Sequence, residues 1–177
     1  MSRVSDAQQV EAVTGRLLFA AGTEAIGFRD GAVIDPALSL HFGYERPLGN
    51  SRVGIRLAGS FTGNAHNNAD SESYGRFYGA GLFSTYALST ARALRPYLIA
   101  GAGIERLSTT RTLQRVGDSG ARSVSLVGQS SASLSGGAGL LSRLGPASVF
   151  AETRLTWFPG GSQTRRAAIP ILVGLRF

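Results

Sequence analysis

The end of the chain alternates between apolar and other side chains with a period of two residues. Ile169, Ile171, Val173, Leu175 and Phe177 fall on one face of an extended segment. A strand that crosses a bilayer needs about 9–11 residues with one face toward lipid. Because a lone strand edge leaves backbone groups unpaired in hydrocarbon, the remaining strands must come from the rest of the chain.

The same alternation divides the chain into eight segments whose connections are long and short in turn. The segments are residues 13–22, 36–46, 52–61, 74–88, 96–108, 126–141, 147–158 and 167–177. The long connections are 23–35, 63–73, 109–125 and 159–166. An even number of strands with this asymmetry predicts an all-β, eight-stranded antiparallel up-and-down transmembrane β-barrel over residues 13–177, after a lead segment of residues 1–12.

The charged residues of these segments fall on the face opposite the apolar one. The second segment shows this most clearly, since Leu38, Leu40 and Phe42 alternate with Ser39 and His41. Charges in a narrow lumen must pair with one another, so we predict an interior ion-pair network that leaves no open pore. The alternative is a small proton or ion path through the same charges. Its predicted members are Arg16, His41, Glu45, Arg52, Arg56, Glu105, Glu152, Arg154 and Arg176.

Aromatic residues gather near the predicted strand ends. The expected members of two interfacial girdles are Tyr44, Phe61, Tyr78, Tyr86 and Trp157. Such girdles mark the two membrane boundaries of a barrel. The alternative is a soluble, lipocalin-like ligand-binding barrel, in which the apolar face would point inward.

Composition supports a barrel over a helical membrane protein. Charged residues make up 16% of the chain, glycine occurs 24 times in 177 residues, and mean hydropathy is only +0.06. No run approaches the roughly 20 apolar residues of a spanning helix. The first ten residues lack the apolar core of an export signal, so we expect a mature chain from which that signal is missing.

The net charge of +7 and pI near 11.0 raise the question of an anionic partner. Nucleic-acid binding needs a contiguous basic face, whereas these arginines are dispersed, so no nucleic-acid partner is predicted. Arginines in the predicted long connections could instead contact lipopolysaccharide phosphates, or be solvated loop charges. These are Arg111, Arg115, Arg122, Arg165 and Arg166.

Candidate catalytic and metal-binding residues are few. Ser39, His41 and Glu45 share a face, but side chains two residues apart on a strand are expected to project in parallel, not to converge. His66 could join Asp70 or Glu72 at a surface metal site, yet two histidines and no cysteine disfavour a transition-metal centre. We predict no catalytic residues, metal or cofactor, with a barrel lipid-modifying enzyme as the alternative.

Two motifs resemble those of a known family. Residues 96–104, Pro-Tyr-Leu-Ile-Ala-Gly-Ala-Gly-Ile, and the closing residues 171–177 are similar to strands of small eight-stranded outer-membrane barrels of Gram-negative bacteria, the OmpA/OmpX and opacity-protein type. The resemblance implies a bacterial outer-membrane location, contact with outer-membrane lipid, and a structural, adhesive or partner-binding role carried by long surface loops. It also implies that the barrel-assembly machinery reads Val173, Leu175 and Phe177. A protein partner could bind the loops or the N-terminal segment.

Overall fold

The computed structural model describes residues 15–28, 33–49, 52–68, 71–89, 93–115, 121–159 and 165–177. Side chains are described for residues 15–25, 37–49, 52–63, 76–89, 93–106, 130–159 and 167–177. The predicted lead segment 1–12 lies outside these ranges.

Eight strands form one closed barrel in which each strand pairs antiparallel with its neighbours in the chain. They are β1 Arg16–Phe28, β2 Val33–Pro47, β3 Val53–Asn68, β4 Ser71–Ala87, β5 Leu94–Arg115, β6 Ala121–Leu144, β7 Ala147–Trp157 and β8 Arg165–Arg176. The barrel closes where β8 pairs with β1, for example at Phe19 opposite Leu175. The predicted fold class is confirmed.

The alternation in the sequence sets which face of each strand points outward. Leu40, Ile55 and Val173 are 45%, 42% and 59% exposed, whereas Arg56 and Glu152 are only 5% and 3% exposed. The apolar face therefore surrounds the barrel and the charged face fills it, as a barrel in lipid requires. This orientation makes the alternative of a soluble, lipocalin-like barrel wrong. The part of the chain that the structure describes contains no helix long and apolar enough to cross a membrane.

Short connections collect at one end of the barrel, which we call the short-turn rim. Leu48 N donates to Val53 O at 2.9 Å across the β2–β3 connection. Between β6 and β7 only Gly145 and Pro146 intervene, and Gly145 has φ of 59°. Glycine at the first central position, with a positive φ, suits the two-residue hairpin turns that match strand twist. The start of β1 and the end of β8 meet at this same rim, where Leu17 N donates to Phe177 O at 3.1 Å.

At the opposite rim the strands are longer than the sequence predicted. The predicted connection 109–125 is wrong in extent, because β5 continues to Arg115 and β6 begins at Ala121. The connections 23–35 and 63–73 shorten in the same way, since β1 reaches Phe28 and β3 reaches Asn68. Threonine and serine dominate residues 108–112, and threonine favours strands even where neither face is apolar.

This extension changes the setting of the predicted loop arginines. Arg111, Arg115 and Arg122 lie within β5 and β6, and Arg165 and Arg166 open β8. They are therefore strand residues and not loop residues. Their side chains lie outside the described ranges.

Candidate functional site: the lumen

Five charged side chains form a continuous set of ion pairs in the lumen, which we call the lumen network. Its members are Glu45 on β2, Arg56 on β3, Glu152 and Arg154 on β7, and Arg176 on β8. Each of these strands turns alternate residues inward, so charges spaced along different strands meet near the axis. All five were on the inward face in the sequence analysis.

Arg56 lies at the centre of the lumen network because its guanidinium reaches two carboxylates. Its Nε and Nη2 donate to Glu45 Oε2 at 3.0 and 2.8 Å, and its Nη1 donates to Glu152 Oε2 at 2.6 Å. Strands β3 and β7 are four apart in a ring of eight, so the second contact crosses the barrel. Arg176 Nη1 extends the set to Glu45 Oε1 at 3.0 Å.

Glu152 also receives donors from other strands. Tyr97 on β5 donates its hydroxyl to Glu152 Oε2 at 2.7 Å, and Arg154 Nε lies 3.0 Å from Glu152 Oε1 without hydrogen-bond alignment. The sequence analysis did not single out Tyr97. The alternation of β5 could have identified Tyr97 as an inward residue, because it lies on the same face as Ile99, which is 2% exposed.

Glycines on β6 leave room for the long side chains of the lumen. A Cβ added at Gly139 would overlap the Tyr97 ring, and one added at Gly137 would meet Arg154 Cα and Cγ at 2.8 Å. Glycine in a strand commonly marks such a close approach.

An apolar cluster surrounds the lumen network and limits its contact with water. Its buried members are Leu18, Phe83, Tyr97, Ile99, Leu141 and Phe150. The Arg154 guanidinium lies 4.9 Å from the centre of the Phe83 ring, and Arg56 lies 5.8 Å from the Phe150 ring. These distances are within the range of cation–π attraction.

A second polar group lies farther from the short-turn rim and contains Ser39 and His41. Ser39 Oγ is 2.8 Å from His41 Nε2 and 2.9 Å from Thr62 Oγ1, and Thr62 donates to Glu24 Oε2 at 2.5 Å. The expectation that Ser39 and His41 would not converge is wrong, because the imidazole reaches along the strand to the hydroxyl. Glu24 was missed because the sequence analysis ended the first strand at residue 22.

The hydrogen bonds of His41 assign its tautomer. Arg154 Nη2 lies 3.1 Å from His41 Nδ1, and arginine can only donate, so Nδ1 is the acceptor. Nε2 then carries the proton and donates to Ser39 Oγ. Because Thr62 donates its proton to Glu24, Ser39 is the donor in its contact with Thr62, and its Oγ also lies 3.4 Å from Glu24 Oε2. All donors therefore point toward the Glu24 carboxylate.

The remaining predicted lumen charges lie at the two ends. Arg16 is half-buried at the short-turn rim, and Glu105 is half-buried on the wall of a cavity of about 30 Å³ beside His41. Arg52 is exposed and precedes β3, so it stands at the barrel mouth and not within the lumen network. Among the described residues no group of three or more possible ligands is placed to hold a metal ion.

The predicted girdle residues point away from the lumen. Tyr44, Tyr78 and Tyr86 are 44–45% exposed and Trp157 is 50% exposed, while Phe61 is half-buried against Tyr78 with ring centres 5.3 Å apart. Val173 and Leu175 are exposed on the outward face of β8, and Phe177 is exposed directly after the strand.

Comparison with solved structures places this architecture among known proteins. Neisserial surface protein A aligns over 92% of this chain and 95% of its own, with TM-score 0.66 and 15% identity. The attachment invasion locus protein of Yersinia pestis aligns over 92% and 97%, with TM-score 0.61 and 14% identity. Its structure in complex with the heparin analogue sucrose octasulfate aligns over 92% and 99%, with TM-score 0.55 and 17% identity.

These similarities establish the fold and not a shared activity, because the sequences have diverged widely. No family model matches the sequence, and no curated protein matches it. The fold is that of the small outer-membrane β-barrels.

Proposed function

Because the chain has the fold of small bacterial outer-membrane barrels, we propose that it is an integral outer-membrane protein with a structural and partner-binding role, and that the lumen network closes its interior. The observation that carries the proposal is the Arg56–Glu152 ion pair, which joins opposite walls of the barrel at 2.6 Å. Side chains that span the interior in this way would interrupt a continuous water path. An eight-stranded barrel is in any case just wide enough for side chains to fill.

Conductance across planar lipid bilayers tests the closed lumen. The wild-type barrel is expected to give no discrete current steps, because charged and aromatic side chains block the axis. A variant combining Arg56→Ala and Tyr97→Ala removes two of these side chains and is expected to conduct, which also shows that the barrels insert. Reproducible current steps from the wild type, unchanged in that variant, would contradict the proposal.

The partner-binding part of the proposal rests on the rim opposite the short turns. There β5 and β6 continue for several residues beyond Ile104, the last apolar residue of the outward β5 face with a described side chain. These strand extensions, where the sequence analysis expected loops, would present a surface outside the membrane to a partner. The name of the similar Yersinia pestis protein, an attachment invasion locus protein, supports an adhesive role at this surface.

Two further roles are part of the same proposal. Arg111, Arg115, Arg122, Arg165 and Arg166 would contact lipopolysaccharide phosphates from this extended rim. Val173, Leu175 and Phe177 would serve as the signal read by the assembly machinery, as their exposed position on the last strand allows. Nucleic acid is not a proposed partner.

A lipid-modifying activity is the second candidate, because Ser39 and His41 are in hydrogen-bond contact. A nucleophilic serine must donate its proton to the histidine base. Here the assigned tautomer has His41 donating to Ser39, so the geometry favours a structural hydroxyl chain.

A lipid deacylation assay distinguishes the two candidates. Wild-type protein and Ser39→Ala, reconstituted with lipopolysaccharide or phospholipid, are both expected to release no fatty acid above background. Release by the wild type that Ser39→Ala abolishes, with Ser60→Ala unchanged, would establish the enzyme instead.

A further inference from the structure

Arginines line the lumen at the short-turn rim, where two neighbouring cavities open. One cavity, of about 150 Å³, has Arg52, Arg56, Arg95 and Arg176 in its wall with Glu45. The other, of about 220 Å³, shares Arg95 and Arg176 and adds two more arginines, Arg16 and Arg143. We call the two cavities together the arginine vestibule.

The carboxylates described in the vestibule walls are fewer than the arginines. Glu45 is the one side-chain carboxylate in the described walls of the vestibule, and it already binds Arg56 and Arg176. Even with an α-carboxylate on Phe177 counted, the walls carry a clear excess of positive charge. Of the other described interior carboxylates, Glu152 pairs with Arg56 and Arg154, and Glu24 and Glu105 line the cavity beside His41.

A buried donor in the vestibule wall supports the same conclusion. Arg176 Nη1 binds Glu45, but Arg176 Nε is buried and has no hydrogen-bond acceptor. Buried polar groups in native proteins nearly always have a partner. Arg176 lines both cavities, so a side chain of the vestibule wall has a donor that the described residues do not satisfy.

We propose that the arginine vestibule binds a phosphate group. Guanidinium groups donate in a planar fork that matches the oxygens of phosphate, and several forks around one chamber favour a multiply charged oxyanion. A water molecule needs roughly 10–15 Å³ of such space, so either chamber admits a hydrated phosphate. Short turns face the periplasm in outer-membrane barrels, so the vestibule opens toward the periplasm and the inner leaflet.

The phosphate could belong to a soluble molecule or to a phospholipid headgroup. Leu48, Leu88, Leu94 and Leu144 are exposed at or next to this rim and could contact acyl chains of a lipid bound there. The shared chemistry is the phosphate, and the two sources differ in whether an acyl chain adds to binding.

Titration calorimetry in an uncharged maltoside detergent and phosphate-free buffer tests the site, with inorganic phosphate as the first probe. We expect saturable binding to the wild type and about tenfold weaker binding to Arg52→Gln and Arg95→Gln. Arg46→Gln is the matched control, because Arg46 is exposed on the same rim but lines neither chamber. Arg52 is exposed and lies outside the strands, so Arg52→Gln is expected to fold, as thermal unfolding followed by circular dichroism verifies.

A second pair of probes identifies the source of the phosphate. If glycerol 3-phosphate and a short-chain phosphatidylglycerol bind equally, the ligand is a soluble phosphate; if the lipid binds more tightly, it is a headgroup. Either result supports phosphate binding in the vestibule, provided that Arg52→Gln weakens the binding of the probe. The proposal is overturned if no probe binds the wild type saturably, or if Arg46→Gln weakens binding as much as Arg52→Gln.

Discussion

Glu152 shows how single side chains hold the interior together. It accepts from Arg56 and Tyr97 at 2.6 and 2.7 Å and pairs with Arg154, while only 3% of its surface is exposed. Removing water from a carboxylate is costly unless several donors replace it. Gly137 and Gly139 leave space for two of these partners, since a larger residue at either position would displace Arg154 or Tyr97.

Replacing the central arginine tests this account at the residue scale. Arg56→Met leaves Glu45 and Glu152 buried without their main donor, so the free energy of unfolding should fall by about 3–5 kcal/mol. Arg52→Met at the exposed mouth should change it by no more than about 0.5 kcal/mol. Urea unfolding in lipid vesicles, followed by Trp157 fluorescence, measures both. Equal losses of unfolding free energy in the two variants would contradict this account, because the buried Arg56 ion pairs would then contribute no more to stability than the exposed Arg52.

At the scale of the strand, the sequence predicted which residues face lipid and which face the lumen. Leu98, Ala102 and Ile104 alternate with inward residues because lipid touches one face of β5, and both their parity and their orientation were predictable. The alternation that marks a strand with one face in lipid ends near residue 106, so the extension of β5 to Arg115 could not be predicted from it.

The sequence predicted which charged residues face the interior, but not which of them pair with one another. Inward parity identified Glu45, Arg56 and Glu152, whereas which carboxylate each arginine contacts depends on strand order and tilt around the closed barrel. Arg52 was misplaced because parity alone does not show that β3 begins at Val53. The contact between Ser39 and His41 was missed because it depends on side-chain rotamers and not on spacing.

A pair of matched substitutions tests the outward face of the strands. Leu57 and Leu144 are 60% and 61% exposed, but Leu57 is mid-strand in β3 and Leu144 ends β6 at the short-turn rim. Leu57→Arg should lower the free energy of unfolding in vesicles by about 2–4 kcal/mol, and Leu144→Arg by about 0–1 kcal/mol. If urea titrations gave the larger loss for Leu144→Arg, the assignment of the lipid-covered band would be wrong.

Across the whole molecule, the lumen is polarised along its axis. Arginines gather at the short-turn rim, the lumen network extends from that rim into the barrel as far as Arg154, and Glu24 and Glu105 line the cavity beside His41. An apolar outer band surrounds this charged interior, which is the reverse of a soluble barrel. Every proposal made for the protein depends on that reversal, from the closed lumen to the vestibule facing the periplasm.

Fluorescence of Trp157 tests most directly whether the apolar outer face of the barrel lies in lipid. The chain has one tryptophan, and its side chain is 50% exposed on the outward face of β7. In vesicles of lipids brominated along the acyl chain, we expect strong quenching of the wild-type emission and little quenching by aqueous iodide. Emission untouched by the brominated chains but readily quenched by iodide would place the apolar face in water and contradict the account.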